Sequence, residues 1–229
     1  FEARPWELTK TLSIDVSDAV GSNIRIDSRG RDVMRILPRI NDDVNEEWLS
    51  DKGRYMVDGL TSRRLDKPFL RRDGKLEAVS WNEAFAAIAK INPGKSVAVV
   101  AGDLVDCETM FAAKALAGAL GSDLLEGRQT GLDYDCSSLA AVNFNSGLAG
   151  IEEADAVLIV GSHVRWEAAV LNPRIRKAVK RGAKVFVVGP EWDATYPVTN
   201  LGNDLAVLDK LPAAAEAALK GAERPALIL

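Results

Sequence analysis

The chain has 229 residues, 47% of them hydrophobic and 27% charged, and a formal net charge of −4. That is the balance of a globular domain long enough to bury a core; the negative charge offers no footprint for nucleic acid, and no apolar run reaches the roughly 18 residues of a membrane span. Cys107 and Cys136 are too few for a disulfide framework or a four-thiolate metal site, and suit a reducing compartment. The opening Phe1-Glu2-Ala3-Arg4-Pro5 holds neither an initiating Met nor a signal peptide, so the chain reads as a piece of a longer one.

The first part reads as a small β-rich module. Leu12, Ile14 and Val16 alternate with Ser13 and Asp15, and Ile24 and Ile26 alternate with Arg25 and Asp27. Period-two alternation predicts an apolar sheet face. Ser28-Arg29-Gly30 is a turn before the run 33–36, a short polar helix is expected from near Asn45, and Gly59 ends the stretch. The basic, irregular segment 60–68 is the expected boundary, giving a module at 1–65 and a larger domain at 66–229. Asp73-Gly74 between two short runs predicts a hairpin, because Gly tolerates positive φ. Ser80 and Glu83 have the spacing of a capping box, and Pro93-Gly94 closes the helix they begin.

From residue 96 strands and helices alternate. The run 96–101 is an apolar strand ending at Gly102. Asp106 caps a helix that Gly121 ends, with Ala112, Leu116, Ala119 and Leu120 as its stripe. A second strand spans 155–160. Asn172-Pro173 reads as an N-cap with Pro behind it, and Leu171, Ile175, Ala178 and Val179 as the buried face. A third strand, 184–188, follows Gly182; a helical stretch 204–220 broken at Pro212 follows that, and 226–229 opens a last strand. Apolar strands separated by helices predict an α/β domain with a mainly parallel, doubly wound sheet covered on both faces.

Ligands in such sheets sit beyond the carboxyl ends of the strands. The loops there are Gly102-Asp103, Gly161-Ser162-His163 and Gly189-Pro190-Glu191-Trp192, none of them a dinucleotide fingerprint or a P-loop. Gly161-Ser162 could approach a phosphate, or could simply end a strand. His163, the only histidine, stands where a general base would, but a lone His is more commonly a packing residue. Cys136 follows Asp133-Tyr134-Asp135, whose charges oppose a thiolate, and Cys107 in a first helical turn reads as a small apolar residue. Arg174, Arg176, Lys177, Lys180 and Arg181 form the densest charge run, by default a solvated face and otherwise a protein interface. Glu152-Glu153 reads as a surface pair. On residues alone no active site is visible.

Longer stretches carry a resemblance. Arg4-Pro5-Trp6-Glu7-Leu8-Thr9-Lys10-Thr11, residues 13–24, Val33-Met34-Arg35-Ile36-Leu37-Pro38-Arg39 and residues 45–54 resemble the large iron–sulfur subunit of respiratory NADH:quinone oxidoreductase, complex I. Residues 101–106 and 150–161, Arg165-Trp166-Glu167-Ala168 and residues 172–177 resemble it too. That subunit is itself similar to molybdopterin oxidoreductases such as formate dehydrogenase. In those enzymes the N-terminal module binds a [4Fe–4S] cluster through C-x-x-C-x-x-x-C and a fourth Cys before Lys-Gly-Arg. The matching positions here are Asp15, Asp18, Ser22 and Ser50, so the resemblance implies vestigial ligand positions, no cluster and no metal in this segment. The loop that holds the guanosine end of the molybdenum cofactor, similar to D-P-R in the family, reads Gly189-Pro190-Glu191 with its acidic and basic groups displaced, and the metal-ligating residue has no convincing counterpart, Cys136 being the nearest.

The resemblance therefore implies a scaffold without catalytic residues of its own inside an electron-transferring translocase. [2Fe–2S] and [4Fe–4S] clusters would lie in a missing N-terminal part of the parent chain. The partners would be other peripheral-arm subunits, with no nucleic acid and no direct membrane insertion, on the cytoplasmic side of a bacterial inner membrane or the matrix side in mitochondria. The rivals are an active molybdenum or tungsten oxidoreductase fragment and a generic nucleotide-binding domain.

Overall fold

The structure is a computed structural model that describes residues 2–91, 96–102, 104–127 and 137–229, the side chain of Ala141 excepted. Contacts divide the chain into two compact units, one of Phe1–Leu60 with Asn143–Leu229 and one of Thr61–Val142. Chain order puts a boundary near residue 65; packing joins the N-terminal module to the last third of the chain and sets the middle apart.

The module is an antiparallel sheet of β1 (Thr9–Ile14), β2 (Asn23–Arg29) and β3 (Asp32–Pro38) in sequence order. Gly30, at φ 60°, makes the β2–β3 turn. The register pairs Leu12 with Arg25 and Ser13 with Ile24, while Ile26 pairs with Ile36. Directly paired residues share a face, so the two alternating apolar sets point to opposite sides. Ile24 and Ile36 are buried, but Leu12 and Ile14 stay 62% and 56% exposed. The apolar alternation of β1 therefore lies on the face that carries Arg25, Asp27 and Arg35, opposite the buried Ile24 and Ile36.

The expected helix near Asn45 starts later, as α1 (Asp51–Tyr55), where the Ser50 hydroxyl accepts from the Gly53 amide at 3.0 Å. Asn45 is instead a buried bracket. Its carbonyl oxygen accepts from the Asn23 amide at 2.9 Å and its amide donates to the Arg39 and Trp48 carbonyls, each at 3.1 Å.

In the middle unit, β4 (Phe69–Arg72) and β5 (Lys75–Ala78) form the hairpin, with Asp73 and Gly74 both at positive φ. The capping box opens α2 (Trp81–Ile91): the Ser80 amide donates to the Glu83 carboxylate at 2.9 Å and the Glu83 amide to the Ser80 hydroxyl at 3.3 Å. The apolar run 96–101 contributes only a short strand, β6 (Val99–Val100). Asp106 caps α3 (Cys107–Leu120) by accepting from the Thr109 amide at 2.7 Å, and Gly121 ends it at φ 69°. Leu116 and Leu120 are exposed and Ala117 is the helix's buried residue, so the expected stripe is not the covered one. The unit's β7 (Leu125–Glu126) pairs parallel with β6. Residues 92–95, with Pro93-Gly94, and residues 128–136, with Cys136, lie outside the described residues, as does Asp103.

The last third is a parallel α/β layer. Its elements are α4 (Gly147–Gly150), β8 (Ala156–Val160), α5 (Val164–Glu167), α6 (Leu171–Lys180), β9 (Lys184–Val188), β10 (Thr199–Asn200), α7 (Ala213–Lys220) and β11 (Pro225–Ile228). The strand order is β10-β9-β8-β11, all parallel. Both faces are covered. Val157, Ile159, Val185 and Val187 pack with Leu171 and Ile175 of α6 on one side, and Leu158, Phe186 and Val188 with Ala215 of α7 on the other. Asn172 is no N-cap: α6 begins one residue before it, after Val170. The Asn172 side chain donates to the Ala194 carbonyl at 3.1 Å and accepts from the Tyr196 hydroxyl at 2.9 Å, partners that no local pattern announces. Among the described residues no helix is long and apolar enough to cross a membrane.

Candidate functional site

Two places in the unit formed by residues 1–60 and 143–229 hold polar side chains that burial alone does not explain. The first is the loop between β1 and β2 with the start of α1, which brings Asp15, Asp18, Ser22 and Ser50 together. The Asp15 amide donates to the Ser22 carbonyl at 2.7 Å, and the Ser22 hydroxyl points to the Asp18 carboxylate at 3.5 Å. Ser50 bonds the Gly53 amide, and Gly53 lies against the Asp15 carboxylate. Asp15, Asp18 and Ser22 are all buried. One Asp15 oxygen accepts from the Ser17 amide at 2.9 Å and hydroxyl at 2.6 Å, and the other has no hydrogen-bond partner among the described residues.

Burial pushes the Asp18 carboxyl above the usual carboxylate range, and the neighbouring Asp15 charge pushes the same way. Hydrogen bonds from the Val20 and Val170 amides and the charge of Lys52 oppose this. Nearby, Asp27 is buried between two guanidiniums: burial alone would raise its pKa, but hydrogen bonds from Arg25 and Arg35, both at 2.8 Å, hold it below the ordinary value. The in-register triplet Arg25, Asp27 and Arg35 was the missed signal.

The second place is the carboxyl end of the parallel sheet. His163 is stacked on Trp166, with ring centroids 4.3 Å apart, and tilted against Trp192 at 4.8 Å. Its Nδ1 is buried with no partner among the described residues, and its backbone amide donates to the Glu167 carboxylate at 2.7 Å. Arg165 pairs with Asp193 at 2.7 Å, so those charges answer each other. Gly161 and Gly189 take positive φ and turn the chain sharply at the strand ends. Two cavities of about 250 and 260 Å³ lie at the opposite, amino ends of the strands, beside Ala154, Arg224 and Pro225 and beside Asp155, Gly182 and Lys184. Cys107 is exposed at the start of α3.

The basic run on α6 is neither simply solvated nor a free interface. Arg174 is buried and donates to the Glu152 carboxylate at 2.7 Å and to the Asp42 and Val44 carbonyls at 2.5 and 3.2 Å. Lys177 bridges Glu46 at 2.5 Å and Glu152 at 3.0 Å, and the hydrogen bond from Lys177 to Glu46 raises the lysine pKa despite burial. Arg181 donates to the Glu152 carbonyl at 3.0 Å. Arg176 and Lys180 stay exposed. Arg174 and Lys177 thus tie the 41–46 loop of the β module to α6, and Glu152, expected at the surface, accepts from both; Ala19 donating to the Glu167 carbonyl at 2.9 Å is a second tie.

Residues 64–229 match the family described as molybdopterin oxidoreductase, and residues 8–58 match the 4Fe-4S domain of the NADH-ubiquinone oxidoreductase NDSU1/NuoG-like family. The chain is 48% identical over 221 residues to the mitochondrial NADH-ubiquinone oxidoreductase 78 kDa subunit of Neurospora crassa, covering 92% of this chain and 30% of that one. It is 45% identical over 237 residues to an NADH-quinone oxidoreductase subunit of Rickettsia felis, covering 100% and 35%. A mitochondrial NADH dehydrogenase [ubiquinone] iron-sulfur protein 1 from Solanum tuberosum is 45% identical over 238 residues, covering 100% and 32%. The chain therefore spans about a third of the length of the relatives it matches.

Proposed function

We propose a scaffold role for this chain, which belongs to the molybdopterin oxidoreductase family: it forms part of the iron–sulfur subunit of an NADH:quinone oxidoreductase and holds no redox centre itself. Its relatives are subunits of that enzyme, and in this reading the whole assembly passes electrons from NADH to quinone and couples them to proton translocation. The [2Fe–2S] and [4Fe–4S] clusters belong to the parts of the subunit outside this stretch. The partners are the other peripheral-arm subunits, on the cytoplasmic or matrix side, with neither nucleic acid nor direct membrane insertion.

The observation that carries the reading is the donor set at the four family ligand positions. Cluster iron takes thiolates. Asp15, Asp18, Ser22 and Ser50 supply carboxylates and hydroxyls, three of the four buried and most already engaged with neighbouring backbone or side-chain groups. This set does not fit a [4Fe–4S] cluster, so no electron step is routed through it. The positions keep a structural task instead: they close the β1–β2 loop over α1 and dock it against α5 and α6. Excluding water and fixing the spacing of neighbouring centres are the physical services such a module renders.

The rival reading, a molybdenum or tungsten oxidoreductase, draws on the family match of residues 64–229. It needs strand-end groups that grip cofactor phosphates. Those loops present aromatic rings around His163 and a guanidinium already paired with Asp193, which favours the scaffold.

Arg174→Ala in the full-length subunit is the test. A scaffold defect lowers the amount of assembled complex on native gels and leaves turnover per assembled complex unchanged. Turnover that falls while assembly holds overturns the reading.

A further inference from the structure

Among its described residues the N-terminal module buries three carboxylates, Asp15, Asp18 and Asp27, which are 1, 4 and 0% exposed. Asp27 is answered by the Arg25 and Arg35 guanidiniums, both at 2.8 Å. Among the described residues neither Asp15 nor Asp18 has such an ion pair. Lys52, whose charge bears on Asp18, is exposed, and its ammonium donates to the Trp166 carbonyl at 3.2 Å. A carboxylate kept out of water without a counter-charge is strongly unfavourable, and buried charges are paired or coordinate a metal.

The unanswered pair lies beside two hydroxyls. The Asp15 amide donates to the Ser22 carbonyl at 2.7 Å, which closes the loop. The Ser22 hydroxyl stands 3.5 Å from an Asp18 oxygen, too long for a strong O–H···O bond, so both atoms keep capacity for another partner. The second Asp15 oxygen faces Gly53, whose amide bonds the Ser50 hydroxyl at 3.0 Å. That oxygen is buried without a hydrogen-bond partner among the described residues, in a side chain only 1% exposed. An ionised carboxylate only accepts, so the group that meets it is a donor or a cation. A water molecule would satisfy the oxygen and leave the paired negative charge uncompensated. Carboxylates and hydroxyls are hard oxygen ligands, the kind Ca²⁺ and Mg²⁺ take with waters completing the shell. Two carboxylates match the charge of one such ion.

We propose that the pocket between the β1–β2 loop and residues 50–53 binds a redox-inert divalent cation, Ca²⁺ or Mg²⁺, through the Asp15 and Asp18 carboxylates with the Ser22 and Ser50 hydroxyls beside them. This sets aside, for hard cations only, the expectation of no metal in this segment. The ion carries no electrons and adds no iron, so the inference goes beyond the scaffold reading, and the failure of either leaves the other standing.

The test uses the assembled enzyme with its full-length subunit, treated with a mild chelator and then given Ca²⁺ alone, Mg²⁺ alone, or K⁺ at matched ionic strength. Hydrogen exchange in residues 15–22 and 50–54 is expected to slow by about tenfold or more with a divalent ion and to stay unchanged with K⁺. The divalent ion that acts at the lower concentration is the occupant. The response is expected to vanish in Asp15→Asn and in Asp18→Asn and to persist in Asp32→Asn, which removes an exposed carboxylate from the same module. Exchange in the native chain that ignores both divalent ions, or that K⁺ slows equally, overturns the proposal without any variant having to fold. A response that survives in Asp15→Asn overturns it too. Melts of the full-length subunit give a second readout. In chelator, Asp18→Asn loses a buried charge and is expected to melt above the native chain; with saturating divalent ion it lacks a ligand, and the order is expected to reverse. An order that the ion leaves unchanged overturns the proposal.

Discussion

The unpartnered oxygen of Asp15 sits where a side chain on Gly53 would begin: a Cβ there would lie 1.9 Å from it, 2.9 Å from the Asp15 Cγ and 3.0 Å from a Leu49 methyl. Gly53 is buried in the first turns of α1, so its missing Cβ is what admits the carboxylate. Gly53→Ala is expected to destabilise the chain by about 1–3 kcal/mol through overpacking. In an Asp15→Ala background most of that cost should disappear. Urea unfolding of the two single variants and the double variant measures the coupling, and additive costs would show that the two positions do not share the space.

Asp18 and Asp27 predict opposite pH responses. The folded chain holds the Asp18 pKa above its ordinary value of 3.8, so the proton-bound form is favoured by folding. Stability from that source is fully present below the unfolded pKa and is lost as pH rises through the native one. Asp18→Asn should therefore raise the melting temperature at neutral pH, with a gain that shrinks as pH falls toward 4. Asp27 is held below 3.8, so its contribution is present above the unfolded pKa and lost as pH falls through the native one. Asp27→Asn should cost about 2 kcal/mol near neutral pH, the scale of a lost charge-assisted hydrogen bond. Thermal melts of both variants across pH check the two signs together.

Arg174→Ala removes a buried guanidinium, takes from two loop carbonyls the donor they share, and leaves Glu152 with Lys177 as its close cation. Breaking a buried, hydrogen-bonded ion pair costs about 3–5 kcal/mol. Because Arg174 joins the 41–46 loop to α6, hydrogen exchange should accelerate in both segments at once. Acceleration confined to α6 would mean that the loop is held by other contacts.

Asp15, Asp18 and Ser22 lie in the β1–β2 loop and Ser50 caps α1, and the proposed reading takes them for former cluster-ligand positions. Restoring Cys at positions 15, 18, 22 and 50 is expected to let the full-length subunit take up additional iron and sulfide on anaerobic reconstitution, with added visible absorbance. No gain over the native sequence would mean that the loop has lost the geometry as well as the thiolates.

Features governed by near neighbours were legible in the residues: the Asp73-Gly74 hairpin, the Ser80–Glu83 box, the Asp106 and Gly121 caps and the alternating strands of the last third. What escaped depends on partners far along the chain. Asn172 looks like a cap because Pro173 follows it, yet its amide is spent on Ala194 and Tyr196, more than twenty residues away. The α6 basic run looks solvated because nothing local marks Arg174 for burial; the acceptors lie some 22 to 132 residues away in sequence. The apolar alternation of β1 was visible, but which face it joined depended on register with β2. For Asp15, Asp18, Ser22 and Ser50 the sequence supplied residue types and spacing, while the crowding against Gly53 and the raised Asp18 pKa needed coordinates.

Metal content of the full-length subunit, native and with Ser22→Ala and Ser50→Ala together, tests the scaffold reading most directly. The account predicts no molybdenum or tungsten in either protein and the same iron content in both, because the clusters lie elsewhere in the subunit. Molybdenum or tungsten approaching one atom per chain, or iron lower in the variant by about four atoms, the content of one [4Fe–4S] cluster, would contradict it.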